Sequence, residues 1–345
     1  MKKKLGLIFY LFAILFTCIA VLSGCGNKPA AVKTGSGYVI GFSNFGVDNS
    51  WRIQMEAEFK ARADQLVSGG VINKYYMTDS KGDIDKQIAD MKDLIKKKCD
   101  AIIITAASPS ALSPVCEEAM AAGISVISFD NYVTTDKVTA KVGIDEIEFG
   151  KCGAQWLADK LNGKGNIIIL DGIAGTSVDT MRNEGAMSVF SNYPDIKILG
   201  EAHAGWAYNQ AKTAMSGFIS EYPRIDGIWS QGGAMTQAAL DVFTAAGRVP
   251  VPMSGEANNG FLKAWKENLD KGFDSIAPCS PTSMSATALD TAINALDGKL
   301  VQLHTVISLP VITSDTLNDY VRMDLKDSFW NYTILTSEQI NALYK

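Results

Sequence analysis

Histidine is nearly missing from this chain: His203 and His304 are the only two in 345 residues. No Gly-x-Ser-x-Gly, Walker or zinc-ligand spacing accompanies them. The usual bases, nucleophile elbows and metal cradles are therefore lacking, so no enzyme activity, cofactor or metal is expected. A lone histidine near a strand end, such as His203, reads as a structural hydrogen-bonding residue. An excess of basic charge is lacking too. The three lysines at positions 2 to 4 are the only charges in the first 25 residues; without them, 29 basic face 37 acidic side chains, a formal net charge of −8. That balance excludes nucleic acid as a partner. Cysteine is sparse. Beyond Cys18 and Cys25, only Cys99, Cys116, Cys152 and Cys279 remain, inside apolar stretches and without metal-ligand spacing, so they are expected as buried free thiols.

What is present begins at the N-terminus. Lys2, Lys3 and Lys4 precede an uncharged apolar run from Leu5 to Leu22, followed by Ser23, Gly24 and Cys25. A basic start, an apolar core and small residues before a cleavage point read as an export signal. Eighteen uncharged residues could also just span a bilayer as a permanent anchor. The Leu22-Ser23-Gly24-Cys25 tetrapeptide resembles the lipobox of bacterial lipoproteins, which implies a signal peptide over 1–24 and lipidation at Cys25. The protein would then work outside the cell, held to the membrane by its lipid. Residues 25–37, with Gly, Ala, Lys, Ser, Thr and Pro and no apolar periodicity, read as a flexible tether.

From Tyr38 onward, short apolar runs alternate with amphipathic stretches. Strands are expected at Tyr38–Phe42, Tyr75–Met77, Ala101–Thr105 and Ile124–Phe129, with helices over Trp51–Leu66, Ile84–Ile95 and Ser110–Ala122. Continuous β-branched runs without alternation imply strands buried on both faces of a parallel sheet. The rhythm restarts after Gly143. Helices are expected over Ile144–Leu161, Ser177–Phe190, Tyr208–Ser220, Ala234–Ala246 and Gly260–Leu269, with strands at Asn166–Leu170, Ile196–Glu201, Ile225–Trp229 and Val249–Met253. Two sets of β-α units predict two similar α/β lobes, each a doubly wound parallel sheet. A last strand at Phe273–Ile276 and a helix over Thr282–Leu296 must return to a lobe already built.

Ligands of open parallel sheets bind at the carboxyl ends of the strands. The residues there are Ser43, Asn44, Asn49, Trp51 and Arg52; Asp130 and Asn131; then Asp171, Arg182, Trp206, Gln231, Glu256, Asn258 and Asn259. Carboxylates accept from hydroxyls, guanidinium groups donate in a fork, and amides do both. Indole rings cover the flat C–H face of a sugar. With Arg52 and Arg182 facing Asp130 and Glu256, the interior is close to neutral, so the set suits a neutral monosaccharide or polyol and disfavours a phosphate. Trp156, Trp229, Trp265 and Trp330 read as packing.

Ser50-Trp51-Arg52 opening a helix, Asp130 after a strand, Asp171 to Ser177 followed by Arg182 to Gly185, and Gly255-Glu256 together resemble the ribose and galactofuranose type of ABC-transporter solute-binding protein, a periplasmic binding protein of type I. The resemblance spans roughly Tyr38 to Leu309. It implies two lobes joined by a three-segment hinge, 38–143 plus 281–310 and 144–280 plus 311–345, that close on a monosaccharide and hand it to a membrane permease, with the protein a monomer. Carried over by position, it makes Asn49, Trp51, Arg52, Asp130, Arg182, Trp206, Glu256 and Ser283 ligand contacts. Asn131 stands where the family often has Arg, and Gly232-Gly233 where it has Asn-Asp, so the guest is not expected to be plain ribose. A transcriptional repressor of similar fold would begin with a basic helix-turn-helix; an export signal stands there instead. A sensor presenting ligand to a membrane receptor, and a hydrolase of sugar conjugates, are the alternatives.

Overall fold

The computed structural model describes residues 37–344. The expected export signal, the expected lipidation site Cys25 and the expected tether up to residue 36 lie outside the described residues. The clearest strand is Ala101–Ile104 (β3), whose four residues are all fully buried. Its side chains alternate between two cores. Ala101 and Ile103 join a cluster with Met55 and Phe59, whereas Ile102 and Ile104 join one with Met91, Leu94 and Cys116. A strand sandwiched in this way has no polar face, which explains the unbroken isoleucine run. Burying each such side chain stabilises the fold by about 1.5–3 kcal/mol.

The first lobe contains β1 (Tyr38–Asn44), α1 (Ser50–Ser68), β2 (Ile72–Asp79), α2 (Ile84–Lys96), β3, α3 (Ser113–Ala121), β4 (Ser125–Phe129) and β5 (Ala140–Gly143). The second contains α4 (Glu146–Lys160), β6 (Lys164–Asp171), α5 (Ser177–Phe190), β7 (Asp195–His203), α6 (Tyr208–Glu221), β8 (Gly227–Ser230), α7 (Gly233–Ala245), β9 (Met253–Ser254), α8 (Asn259–Asn268) and β10 (Ser275–Pro278). The chain then returns through α9 (Met284–Leu296) and β11 (His304–Val306) to the first lobe, and through β12 (Val311–Ile312) and α10 (Leu317–Tyr320) to the second, ending in α11 (Ser337–Leu343). Each lobe thus has a six-stranded sheet, in the orders β11-β5-β4-β3-β1-β2 and β12-β10-β9-β8-β6-β7. All pairings are parallel except β10 with β12. The second lobe repeats the first lobe's alternation: Ile168 and Leu170 face one core, Ile167 and Ile169 the other. Three segments cross between lobes, at β5–α4, β10–α9 and β11–β12.

Several boundaries moved for local reasons. Pro114 opens α3, which starts at Ser113 rather than Ser110. The strand expected at Val249–Met253 shrinks to Met253–Ser254, because Pro250 and Pro252 have no N–H to give a ladder. That expected at Phe273–Ile276 runs Ser275–Pro278 instead. The tail touches both lobes. Arg322, Leu325 and Lys326 offer their carbonyls to the Asn259 amide on α8, while Trp330 pairs with Gln54 and the Tyr344 hydroxyl donates to the Ser50 carbonyl on α1. Among the described residues, no helix is long and apolar enough to cross a membrane.

Candidate functional site

Parallel sheets whose strands end toward one another place their loops in a common cleft. Here that cleft holds a cavity walled by both lobes. The first lobe lines it with Asn49, Trp51 and Arg52 at the start of α1 and with Asp130 and Asn131 after β4. The second supplies Val178 and Arg182 on α5, Trp206 between β7 and α6, and Glu256 after β9; Ser280 comes from the β10–α9 crossing and Trp330 from the tail.

Each lobe presents one buried guanidinium laid over a phenylalanine. Arg52 lies 3.6 Å from the Phe45 ring centroid and Arg182 3.6 Å from that of Phe149. Arg52 donates Nε–H to the Gly46 carbonyl at 2.8 Å, Nη1 to Asp130 Oδ2 at 3.2 Å, and Nη2 to Asn44 Oδ1 and Thr105 Oγ1 at 3.1 and 3.2 Å. Arg182 donates Nε–H to Glu146 Oε2 at 2.6 Å, Nη1 to the Gln231 carbonyl at 2.8 Å and Nη2 to Glu256 Oε1 at 3.4 Å. A guanidinium has five N–H groups. Arg52 therefore keeps one for a guest and Arg182 two.

The electrostatics follow from burial. Glu146 and Glu256 are both pushed up to about 7, chiefly because water is excluded around them, with Arg182 pulling the other way. Burial would lower Arg182, but the two glutamates more than offset it and its pKa rises; Arg52 is lowered by burial against the opposing pull of Asp130. Two cations thus meet three carboxylates, one more than the sequence suggested. Burial resists full ionisation of both glutamates, which limits the net negative charge of the interior.

Several polar atoms at the cavity are unspent. Asp130 Oδ2 accepts from Arg52, from Thr105 Oγ1 at 3.1 Å and from Asn131 Nδ2 at 2.8 Å, and Oδ1 accepts none of these. Among the described residues, Trp206 Nε1 and Ser280 Oγ are buried without a hydrogen-bond partner. Such atoms carry a desolvation cost that a polar guest relieves. Asp130 (φ 56°) and Trp206 (φ 54°) also adopt left-handed backbone, sparsely populated for residues with a side chain. The Trp206 indole rests on glycine. A Cβ on Gly172 would lie 2.1 Å from its Cζ2 and one on Gly232 2.9 Å from its Cδ1, so both positions need glycine to seat the ring, Gly172 most strictly.

Eight of the eleven expected ligand residues line the cavity: Asn49, Trp51, Arg52, Asp130, Asn131, Arg182, Trp206 and Glu256. The other three stand behind it. Gln231 spends its Nε2 on Asp171 Oδ1 and the Asp179 carbonyl while its Oε1 is buried without a partner, Asn258 caps α8 and donates to the Asp327 carbonyl, and Ser283 donates to the Tyr332 carbonyl. Asn49 itself caps α1, accepting from Arg52 N at 3.0 Å. Sequence reasoning missed Val178, Ser280 and the buried Glu146, an acid that looks like an ordinary helix start after its cap, Asp145. Trp330, read as packing, does pack in the first-lobe core and also lines the cavity. Asp171 does not line it. Burial first, then Glu201 beside it, push Asp171 up to about 7 against the pull of Asn183, whose amide donates to both carboxylates. His203, with Nδ1 3.5 Å from Asp179 Oδ2, completes a group of ligand-type atoms with Asp171 and Glu201, all within 4.8 Å of one another. Asn183 serves both carboxylates, and Asp171 Oδ2 stays buried without a hydrogen-bond partner.

A family model described as a periplasmic binding protein domain matches residues 40–300. The chain belongs to this family. Among relatives of this periplasmic binding protein, a xylitol-binding protein of Mycolicibacterium smegmatis is 31% identical over 241 residues, covering 69% of this chain and 68% of the relative. A ribose import binding protein of Bacillus subtilis is 25% identical over 308 residues, 88% of this chain and 96% of the relative. Among solved structures, the fructose-binding periplasmic domain of a hybrid two-component system superposes with a TM-score of 0.72 at 28% identity, covering 82% of this chain and 92% of that one. The two-lobe α/β architecture is that of type I periplasmic binding proteins.

Proposed function

We propose that this chain is an extracytoplasmic solute-binding lipoprotein that captures a neutral monosaccharide or related polyol by hinge closure and delivers it to an ABC permease. The observation that carries this reading is the cavity itself. Both lobes wall it, paired charges line it, and unspent donors and acceptors remain at Arg52, Arg182, Asp130, Trp206 and Ser280. Hydroxyls satisfy such atoms, and indoles cover the C–H faces between them. The names of the relatives, a xylitol-binding and a ribose import binding protein, support the same class of guest. A ligand contacting both lobes favours the closed arrangement by its differential affinity.

The test is a thermal-shift screen of neutral pentoses, hexoses, furanoses and polyols on the exported protein in mild detergent. A cognate ligand at 100 times its Kd stabilises by about 2.7 kcal/mol and raises the melting point. A panel with no shift, including the pentoses and pentitols, overturns the reading. Attachment to the membrane rests on Cys25: mass spectrometry of the mature N-terminus is expected to find a diacylglyceryl group there, and Cys25→Ala is expected to leave the leader uncleaved. The likeness to a two-component sensor domain favours a second reading, in which the bound sugar is presented to a membrane sensor. Co-purification with a permease or with a sensor kinase separates the two.

A further inference from the structure

The family match ends at residue 300, yet one wall of the cavity is built from a residue well beyond it. Trp330 is 3% exposed and held from both sides. On the first lobe its backbone N–H donates to Gln54 Oε1 at 3.0 Å, its carbonyl accepts from Gln54 Nε2 at 2.9 Å, and its indole Nε1 donates to Ser50 Oγ at 2.9 Å. On the second, it forms an antiparallel bridge with Asn258, and the next residue, Asn331, donates its N–H to the Ala257 carbonyl at 3.3 Å, one position from Glu256. Gln54 Nε2 also donates to Thr282 Oγ1 at 2.9 Å, which ties the assembly to the β10–α9 crossing.

A tryptophan held by three hydrogen bonds of its own, one of them from the indole N–H, does not swing aside to suit a guest. Trp51 is equally fixed, its Nε1 donating to the Ser280 carbonyl at 2.9 Å. A tail that only packed against the surface would place its tryptophan over exposed apolar area. This one reaches the cavity through a contact with each lobe, beside the crossing about which the lobes turn.

We propose that Trp330 is a specificity-determining residue, a wall supplied from beyond the residues the family model matches, that decides which neutral sugar or polyol this chain accepts. The proposal rests on the sugar-binding reading above. A flat, immobile ring favours guests that present a C–H face to it and rejects those with a substituent at that edge, so its main effect is on the ratio of affinities rather than on affinity alone.

The experiment measures Kd by calorimetry for xylitol, D-ribose, D-allose, D-fructose and myo-inositol, on the exported protein and on its Trp330→Leu and Trp330→Phe variants. Melting curves without ligand confirm folding. Wild type binding none of the five would count against the sugar reading itself, and the wall would fall with it. With a ligand bound by wild type, Trp330→Leu is expected to weaken the preferred compound about three- to tenfold and to shrink its lead over the next, while Trp330→Phe restores part of that lead. A packing role alone would weaken every compound by one factor. Uniform weakening, or unchanged constants, overturns the proposal. Should the leucine variant not fold, the phenylalanine variant is read by the same ratio, and an unchanged ratio overturns it.

Discussion

Replacing Asp130 probes the cavity and the backbone together. Asp130→Asn keeps the side-chain outline and tolerates the left-handed φ of 56°, but removes the charge opposite Arg52. Breaking a buried pair by removing one partner costs about 3–5 kcal/mol when the other charge is stranded. Arg52 is not stranded: the Gly46 carbonyl, Asn44 Oδ1, Thr105 Oγ1 and the Phe45 face remain. The loss is therefore expected nearer to that of one hydrogen bond to a charged group, about 1.5–3 kcal/mol. Asp130→Ala adds the cost of a left-handed residue without a local hydrogen-bonding side chain, about another 1–2 kcal/mol. Urea denaturation followed by tryptophan fluorescence reads both differences. Ligand affinity is the second readout: loss of one charge-assisted bond weakens binding about tenfold to a hundredfold in either variant. Full affinity in Asp130→Asn would refute the placement of the site, and equal stability of the two variants would refute the strain.

Trp206→Phe keeps an aromatic plate and removes the Nε1–H that is buried without a partner; the ligand-free protein is expected to lose less than about 1 kcal/mol while sugar affinity drops about fivefold, and an unchanged Kd by calorimetry would contradict this. Glu146, pushed up to about 7 by burial, binds its proton more tightly folded than unfolded. Its contribution to stability is greatest below the unfolded carboxyl pKa and falls as pH rises toward and through about 7, so the stability advantage of wild type over Glu146→Gln should shrink between pH 5 and pH 8 in urea titrations; a growing advantage reverses the sign and refutes it. Burial pushes Cys99 up to about 11 and Cys116 up to about 12; both should resist a disulfide reagent at pH 8 in the native protein and react on unfolding, and rapid native labelling of Cys116 would show that core to be open.

The β-α rhythm was legible because strands buried on both faces leave an unmistakable trace, as at Ile102-Ile103-Ile104. Strands without that trace were not. Ala140–Gly143 carries Lys141, whose ammonium reaches Asp136 Oδ1 at 2.7 Å, and so lacks a continuous apolar run. His304–Val306 is an edge strand with exposed residues. Most of the cavity was legible from one rule, that loops at strand ends converge. The rule cannot tell a side chain facing the guest from one spending its bonds on the protein behind it, which is why Gln231 and Asn258 were expected in front; Ser283 was expected there from the family resemblance alone. Nor does it reach a tail that returns from far along the chain. Trp330 meets Gln54 across 276 positions, and only the folded chain brings them together.

The matching arginine-on-phenylalanine arrangements have a kinetic consequence. Each half of the binding surface is assembled by its own domain, with most of its donors already aimed, so little side-chain freedom is surrendered when a solute arrives. In the hinge closure proposed above, encounter needs no rearrangement within either half, and the tempo of binding and release would be set by rigid-body rotation, a microsecond-to-millisecond motion.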